Sequence, residues 1–183
     1  MKVLKWKRQL IHLMDFLELA KSRRSVRKFL NQPISKELLL KIVEYGRWAP
    51  SGLNNQPWKI IGILKKELLL ELANCTTSSH VLKEAAAALV IYLDKRLQYN
   101  YTKDIQGIGA LFQNLLLGIH AENIGGCWLG EILNKTEKVN KILNISSNEY
   151  ELMGVIAIGI PKPSELSQES KRKSIDEIFE FFE

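Results

Sequence analysis

Two hydrophobic rhythms alternate along this chain. Leu38, Leu39, Ile42, Val43 and Gly46 recur at three- and four-residue spacing behind Ser35, which predicts a helix opened by a serine cap. A shorter helix is predicted over residues 15–21, with apolar side chains at 16, 17, 19 and 20 behind an aspartate. Residues 58–64 are rich in β-branched side chains and read as a buried strand, followed by a helix over 66–74. Alanine content predicts a helix over 81–87. Further strands are expected at 89–93 and 154–160, a short strand-like segment at 125–129, and a helix over 135–143. Residues 47–57 break both rhythms with two prolines, Gly52 and the pair Asn54-Asn55, so they form a loop. No internal repeat or low-complexity tract interrupts the pattern.

The longest helix is predicted over residues 104–123. Ile108, Leu111, Phe112, Leu115 and Ile119 make one stripe, and Ala110, Leu116, Leu117 and Ala121 a second apolar flank. Gln106, Gln113 and His120 leave a narrow polar line. A helix apolar over most of its circumference is buried on more than one side, and in a chain this short the second side is expected from another subunit. His120 is read as lining that polar seam rather than as a catalytic group.

Composition narrows the class. The 183 residues are 46% apolar and 25% charged, a globular balance. Lys and Arg number 26 against 20 Asp and Glu, and the net charge of +6 favours an anionic partner. Two cysteines, Cys75 and Cys127, exclude a disulfide-rich scaffold and fit a reducing compartment. Three histidines without ligand spacing argue against a histidine metal centre. No apolar run approaches the roughly 20 residues of a membrane span. The expectation is a cytoplasmic protein without a membrane partner. Residues 1–14 read as an N-terminal extension, and 15–183 as one domain. Residues 161–174 read as an irregular connector, before a tail with three phenylalanines that should cover apolar surface on this chain or a partner.

Three segments carry candidate chemistry. Arg23-Arg24-Ser25-Val26-Arg27-Lys28-Phe29 is dense in anion donors, the arginine fork matching phosphate oxygens and the serine adding a hydroxyl. Alone, such a run is more often a solvated face, with nucleic-acid binding the next reading. The rigid loop Trp48-Ala49-Pro50-Ser51-Gly52-Leu53-Asn54-Asn55-Gln56-Pro57-Trp58 suits a planar ring with polar edges. Downstream, Gly125-Gly126-Cys127-Trp128-Leu129-Gly130 lets backbone amides approach a ligand closely. No helix-turn-helix glycine pattern or base-stacking strand motif supports nucleic acid.

In this order, the three segments resemble the FMN-dependent nitroreductase family of flavin oxidoreductases, over residues 16–179. The motifs are Arg-Arg-Ser-x-Arg-x-Phe, Ala-Pro-Ser…Asn-x-Gln-Pro-Trp, and the long helix leading into Gly-Gly-Cys-Trp-Leu-Gly. The resemblance implies an α+β fold with a central mixed, mostly antiparallel sheet wrapped by helices. It also implies an intertwined homodimer with FMN at the subunit interface. Arg23 and Ser25 correspond to ligands of the FMN phosphate and ribityl chain, Arg24 to a position along the cofactor, and Arg27 to one near flavin N1 and O2. Pro50, Ser51 and Asn54 match the loop covering the flavin, Pro50 and Ser51 coming from the partner subunit. Trp128, Leu129 and Gly130 match the segment whose amides face N5 and O4. Lys171, Arg172 and Lys173 match the basic C-terminal residues that close on the phosphate. No mid-chain flavin contact is assigned within 74–83.

The implied activity is ping-pong transfer of hydride from NADH or NADPH to nitroaromatics, quinones or flavins. The flavin is then the reactive centre, with no catalytic side chain and no metal. The alternatives are a flavin-binding or storage protein without turnover, or a specialised dehalogenase-like member. The latter is disfavoured because the stretch 94–103, where relatives carry a longer lid, is short here and holds Tyr99 and Tyr101. Cys127 is read as packing.

Overall fold

In this computed structural model residues 15–165 and 170–182 are described; the N-terminal extension expected over 1–14 lies outside them. The centre is a strand predicted in part, β2 (Ala87–Asp94). Its side chains alternate between two cores: Ala88, Val90 and Tyr92 enter one, and Ala87, Leu89, Ile91 and Leu93 the other. Every residue of β2 is buried, which is why its sequence reads as an unbroken apolar run rather than an alternation. Alanine content misled the expectation of a helix over 81–87. The helix is α4 (Ser79–Glu84), and Ala87 already belongs to the strand, opposite Ile158. Small side chains at 85–88 fit a backbone pressed between two layers, a tertiary demand that helix propensity does not contain.

Around β2 lie β1 (Trp58–Ile63), β3 (Gly125–Leu129) and β4 (Tyr150–Gly159), in the order β1-β2-β4-β3 with every strand pair antiparallel. A parallel bridge between Ser25 and Gly126 adds the mixed character. One face of the sheet is covered by α3 (Lys66–Ala73), α4 and α6 (Thr136–Leu143), through Leu69, Leu72, Val81, Leu82 and Val139. The other is covered by α2 (Lys36–Arg47) and α5 (Tyr101–Ala121), through Leu39, Ile42, Ile108, Phe112 and Ile119. Ser35 caps α2 as expected, its hydroxyl accepting from the Leu38 amide at 3.1 Å.

The all-round apolarity of α5 is largely satisfied within the chain. Its sheet side meets β3 and β2, and α2 packs beside it, where Gly46 lies against Leu115 and the Tyr45 ring lies over Gly118. Within one chain, α2 takes part of the surface for which a second subunit is expected. Exposed apolar surface remains in several places, among them the tail, where Phe179, Phe181 and Phe182 are 54%, 80% and 96% exposed.

A bulge shapes β4. The register with β2 slips between Ile91 and Tyr92, opposite Gly154 at φ 143°, a value that L side chains rarely adopt. A β-carbon there would also stand 2.8 Å from the Trp128 indole nitrogen. Glycine therefore opens the space in which Trp128 lies flat on Phe112, centroids 4.0 Å apart and planes within 5°.

Candidate functional site

The basic cluster is built where α1 (Phe16–Ser22) ends against the C-terminal end of α5. The Ser22 hydroxyl and His120 Nε2 are 2.8 Å apart, so His120 lines a polar seam between the two helices. The chain then turns extended at Arg23, and the Arg24 guanidinium donates to the Arg23 carbonyl at 2.8 Å. From the other end of the chain, Arg172 approaches. Partial burial, then the neighbouring charges of Arg172 and Arg24, push the Arg23 guanidinium below its ordinary pKa. Beside these side chains is an open cavity of ≈ 390 Å³ lined by Ala20, Lys21, Arg24, Ser170 and Arg172. Like charges gathered at a half-buried place repel, and a dianion placed among them reverses the sign of that energy.

His120 reports this field. Burial, and then Arg23 and Arg24, hold its imidazole below the ordinary histidine pKa. In acid the unfolded chain therefore takes up this proton before the native one does, and stability at this site falls as pH drops through the ordinary histidine range. A proton-NMR titration should show His120 titrating below free histidine, and inorganic phosphate should move it upward by offsetting Arg23 and Arg24. A pKa that does not respond to phosphate would place the anion elsewhere.

From Ser25 onward the chain is strapped to the sheet. The Val26 amide donates to the Gly126 carbonyl at 3.0 Å and the Leu30 amide to that of Ile160 at 2.8 Å, while Phe29 is 2% exposed. This lays Arg23–Arg27 along the outer edge of β3, so the Arg-Arg-Ser-x-Arg and Gly-Gly-Cys-Trp-Leu-Gly motifs become one surface. Arg27 is exposed, its guanidinium donating to the Ser25 carbonyl at 3.2 Å. Cys127 is buried, and desolvation raises its thiol pKa, in keeping with packing. Leu129 is buried and Gly130 exposed at the end of the strand.

Two carboxylates with no distinguishing sequence pattern help to build this surface. Glu165, 6% exposed, accepts from the Arg27 amide at 2.8 Å and so fixes the basic segment. It falls in the stretch read as a connector, where nothing marks one glutamate from another. Glu131, next to Gly130, accepts from the Thr76 hydroxyl and from the Ser78 amide at 3.3 Å. That brings the unassigned stretch 74–83 beside the end of β3. Burial alone would raise the Glu131 carboxyl, but these hydrogen bonds outweigh it and hold the pKa below the ordinary value.

Pro50, Ser51 and Asn54 lie at the other end of α5. The Pro50 carbonyl stands 3.3 Å from the point a β-carbon on Gly107 would occupy, with Ser51 next to it. From Gly107 to His120 the helix rises about 20 Å at 1.5 Å per residue. One chain therefore gathers Arg23, Arg24, Ser25 and Arg172 with the 126–130 strand, but places the 50–54 loop far from the arginines. Lys171 and Lys173 are exposed on either side of Arg172. Among the described residues, no helix is long and apolar enough to cross a membrane.

A three-layer α+β fold with a cationic cluster beside a small-residue strand defines a class, and comparison with known proteins identifies it. A sequence profile described as Nitroreductase family matches residues 20–78 and 66–160. The chain is 32% identical over 152 residues to a protein of Archaeoglobus fulgidus assigned as an NADH dehydrogenase/NAD(P)H nitroreductase, covering 81% of this chain and 86% of that one. Among solved structures it is similar to a protein of Desulfovibrio desulfuricans assigned as a nitroreductase and crystallised with FMN. That pair is 34% identical with a TM-score of 0.83, covering 91% of this chain and 97% of the other. A protein of Clostridium acetobutylicum assigned as an NADH oxidase superposes with a TM-score of 0.80 at 27% identity, covering 88% and 97%. The chain belongs to the nitroreductase family.

Proposed function

We propose that this protein is an FMN-dependent NAD(P)H oxidoreductase that reduces small acceptors such as nitroaromatics, quinones or flavins, and that it works as a homodimer. The observation that carries the reading is the convergence of Arg23, Arg24 and Arg172 beside the segment that borders β3. The donor set fits FMN: a terminal phosphate dianion suits the guanidinium cluster, and the planar ring suits the strand that follows it. The FMN complex of the Desulfovibrio desulfuricans relative, and the nicotinamide-linked names of the relatives, support the same reading.

Bound FMN would supply the two-electron chemistry, and the chain would supply position and charge. Arg23 and Ser25, with Lys171, Arg172 and Lys173, would hold the phosphate and ribityl end, and Arg24 would lie along the cofactor. Arg27 would place positive charge at the pyrimidine edge, where negative charge builds up on reduction. The backbone of Trp128, Leu129 and Gly130 would fix the opposite edge of the ring. Pro50, Ser51 and Asn54, about 20 Å along α5 from the arginines, would complete the site of a second copy. Its exposed phenylalanine tail would in turn find cover on the partner.

The purified protein should be yellow, and NADH or NADPH should bleach it under nitrogen. Initial-rate plots should then give parallel double-reciprocal lines, and His120→Ala should leave turnover close to wild type. A yellow protein that neither nucleotide bleaches would be a flavin carrier. Light scattering at micromolar concentration should return twice the 21.0 kDa chain mass. A flavin-loaded monomer would overturn the shared site.

A further inference from the structure

We propose that Asp104 is the positioning residue of the 50–56 loop: its buried carboxylate locks that loop, and the 95–100 turn bearing Tyr99, onto the first turn of α5. The role assigned to the locked loop, presenting Pro50, Ser51 and Asn54 to flavin, rests on the function proposed above. The lock itself stands on its own geometry.

Asp104 is fully buried, and a buried carboxylate is tolerated only where its oxygens are satisfied. One oxygen accepts from Asn55 Nδ2 at 2.8 Å, and the other accepts from the backbone amides of Tyr99 and Asn100, both at 2.9 Å. Burial would raise its pKa, but the Asn55 side chain and the two amides outweigh burial and hold it below the ordinary aspartate value. The start of α5 favours the same negative charge. The group is therefore an acceptor-only hub that joins the turn leading into α5 to a loop 49 residues away in sequence.

The loop needs such a hub. Leu53, Asn54 and Gln56 have φ of 53°, 55° and 46°, left-handed values at three non-glycine positions, and Leu53 is 83% exposed. Strained backbone of this kind persists only where its surroundings over-determine it. Inside the loop, the Asn54 amide donates to the Ser51 carbonyl at 3.1 Å and the Gln56 amide to the Ser51 hydroxyl at 3.0 Å. Outward, Asn55 Nδ2 reaches both Asp104 and the Leu97 carbonyl, the latter at 3.0 Å. The Tyr99 ring lies against Gly52, where a β-carbon would come within 2.5 Å of it. Loop and turn are thus braced twice, by the Asp104–Asn55 pair and by the Tyr99 ring.

The test exchanges the pair. Asn55→Asp sets two carboxylates where an amide now meets a carboxylate. Combining it with Asp104→Asn restores one donor and one acceptor with the roles reversed and leaves an oxygen for the Tyr99 and Asn100 amides, while the Leu97 carbonyl stays without its Asn55 donor. In protein stripped of flavin, hydrogen exchange at the Asn54, Asn55 and Gln56 amides should quicken about tenfold in Asn55→Asp, the size expected for losing a hydrogen bond to a charged group. It should slow in part in the double variant, where the 55–104 bond is regained and the bond to Leu97 is not, with the β2 amides unchanged throughout. FMN dissociation constants should follow the same loss and rescue. Losses that simply add in the double variant, or quickening that extends to β2, would overturn the lock. Unchanged FMN affinity in a loosened loop would overturn its role in flavin binding. If the wild-type chain binds no FMN, the proposed function fails while loop exchange still decides the lock. Should Asn55→Asp not fold, Asn55→Ala removes the donor without adding a charge and is read by the same exchange.

Discussion

Replacing Arg23 by alanine is expected to weaken FMN binding ten- to a hundredfold. A hydrogen bond to a charged group is worth about 1.5–3 kcal/mol, and each 1.4 kcal/mol is about a decade in affinity. Without flavin the same change removes a half-buried charge repelled by Arg172 and Arg24, so the melting temperature of the stripped protein should hold or rise. That opposition, weaker binding without lost stability, separates a ligand role from a packing role. Arg23→Lys should recover part of the affinity, since an ammonium keeps the charge but loses the planar fork. Fluorescence titration with FMN measures all three, and an unchanged affinity in Arg23→Ala would remove Arg23 from the site.

Phe112→Ala should cause the largest loss of stability among the residues that shape the site, about 3–5 kcal/mol. The ring is fully buried and carries Trp128, which is itself 44% exposed and stacked on it at 4.0 Å. For a chain of this size that cost corresponds to a melting temperature lower by roughly 6–20 °C. Trp128 would also lose the surface that holds the end of β3 in place, so flavin affinity should fall with stability. Phe112→Leu keeps most of the volume and should cost less than half as much. A loss below about 1 kcal/mol in Phe112→Ala would mean that the pocket collapses onto Trp128 without penalty.

How far the fold was legible depended on how local its causes are. The Ser35 cap, the helical stripe behind it and the apolar runs of β1 and β2 appear in sequence because each is set by side chains within a few positions. β4 is longer than its run suggested, beginning at Tyr150, since a bulge at Gly154 shifts the alternation midway. The alanines at 85–88 looked helical because propensity is read residue by residue, whereas their burial comes from layers that close later.

The candidate site divides in the same way. The order and identity of its motifs, arginines first, a proline-bounded loop next and a small-residue strand last, are properties of the sequence, and they sufficed to indicate the family and the cofactor. Distances were not. Only the tertiary structure joins Ser25 to Gly126 and draws Arg172 toward Arg23 across nearly 150 residues, and only it puts the 50–54 loop at the far end of α5. Glu165 and Asp104 carried no sequence signal, being ordinary acidic residues until folding buried them where backbone amides donate to their carboxylates. Residue chemistry is written locally, but charge, burial and separation depend on which distant segments share a core, and that is decided by packing.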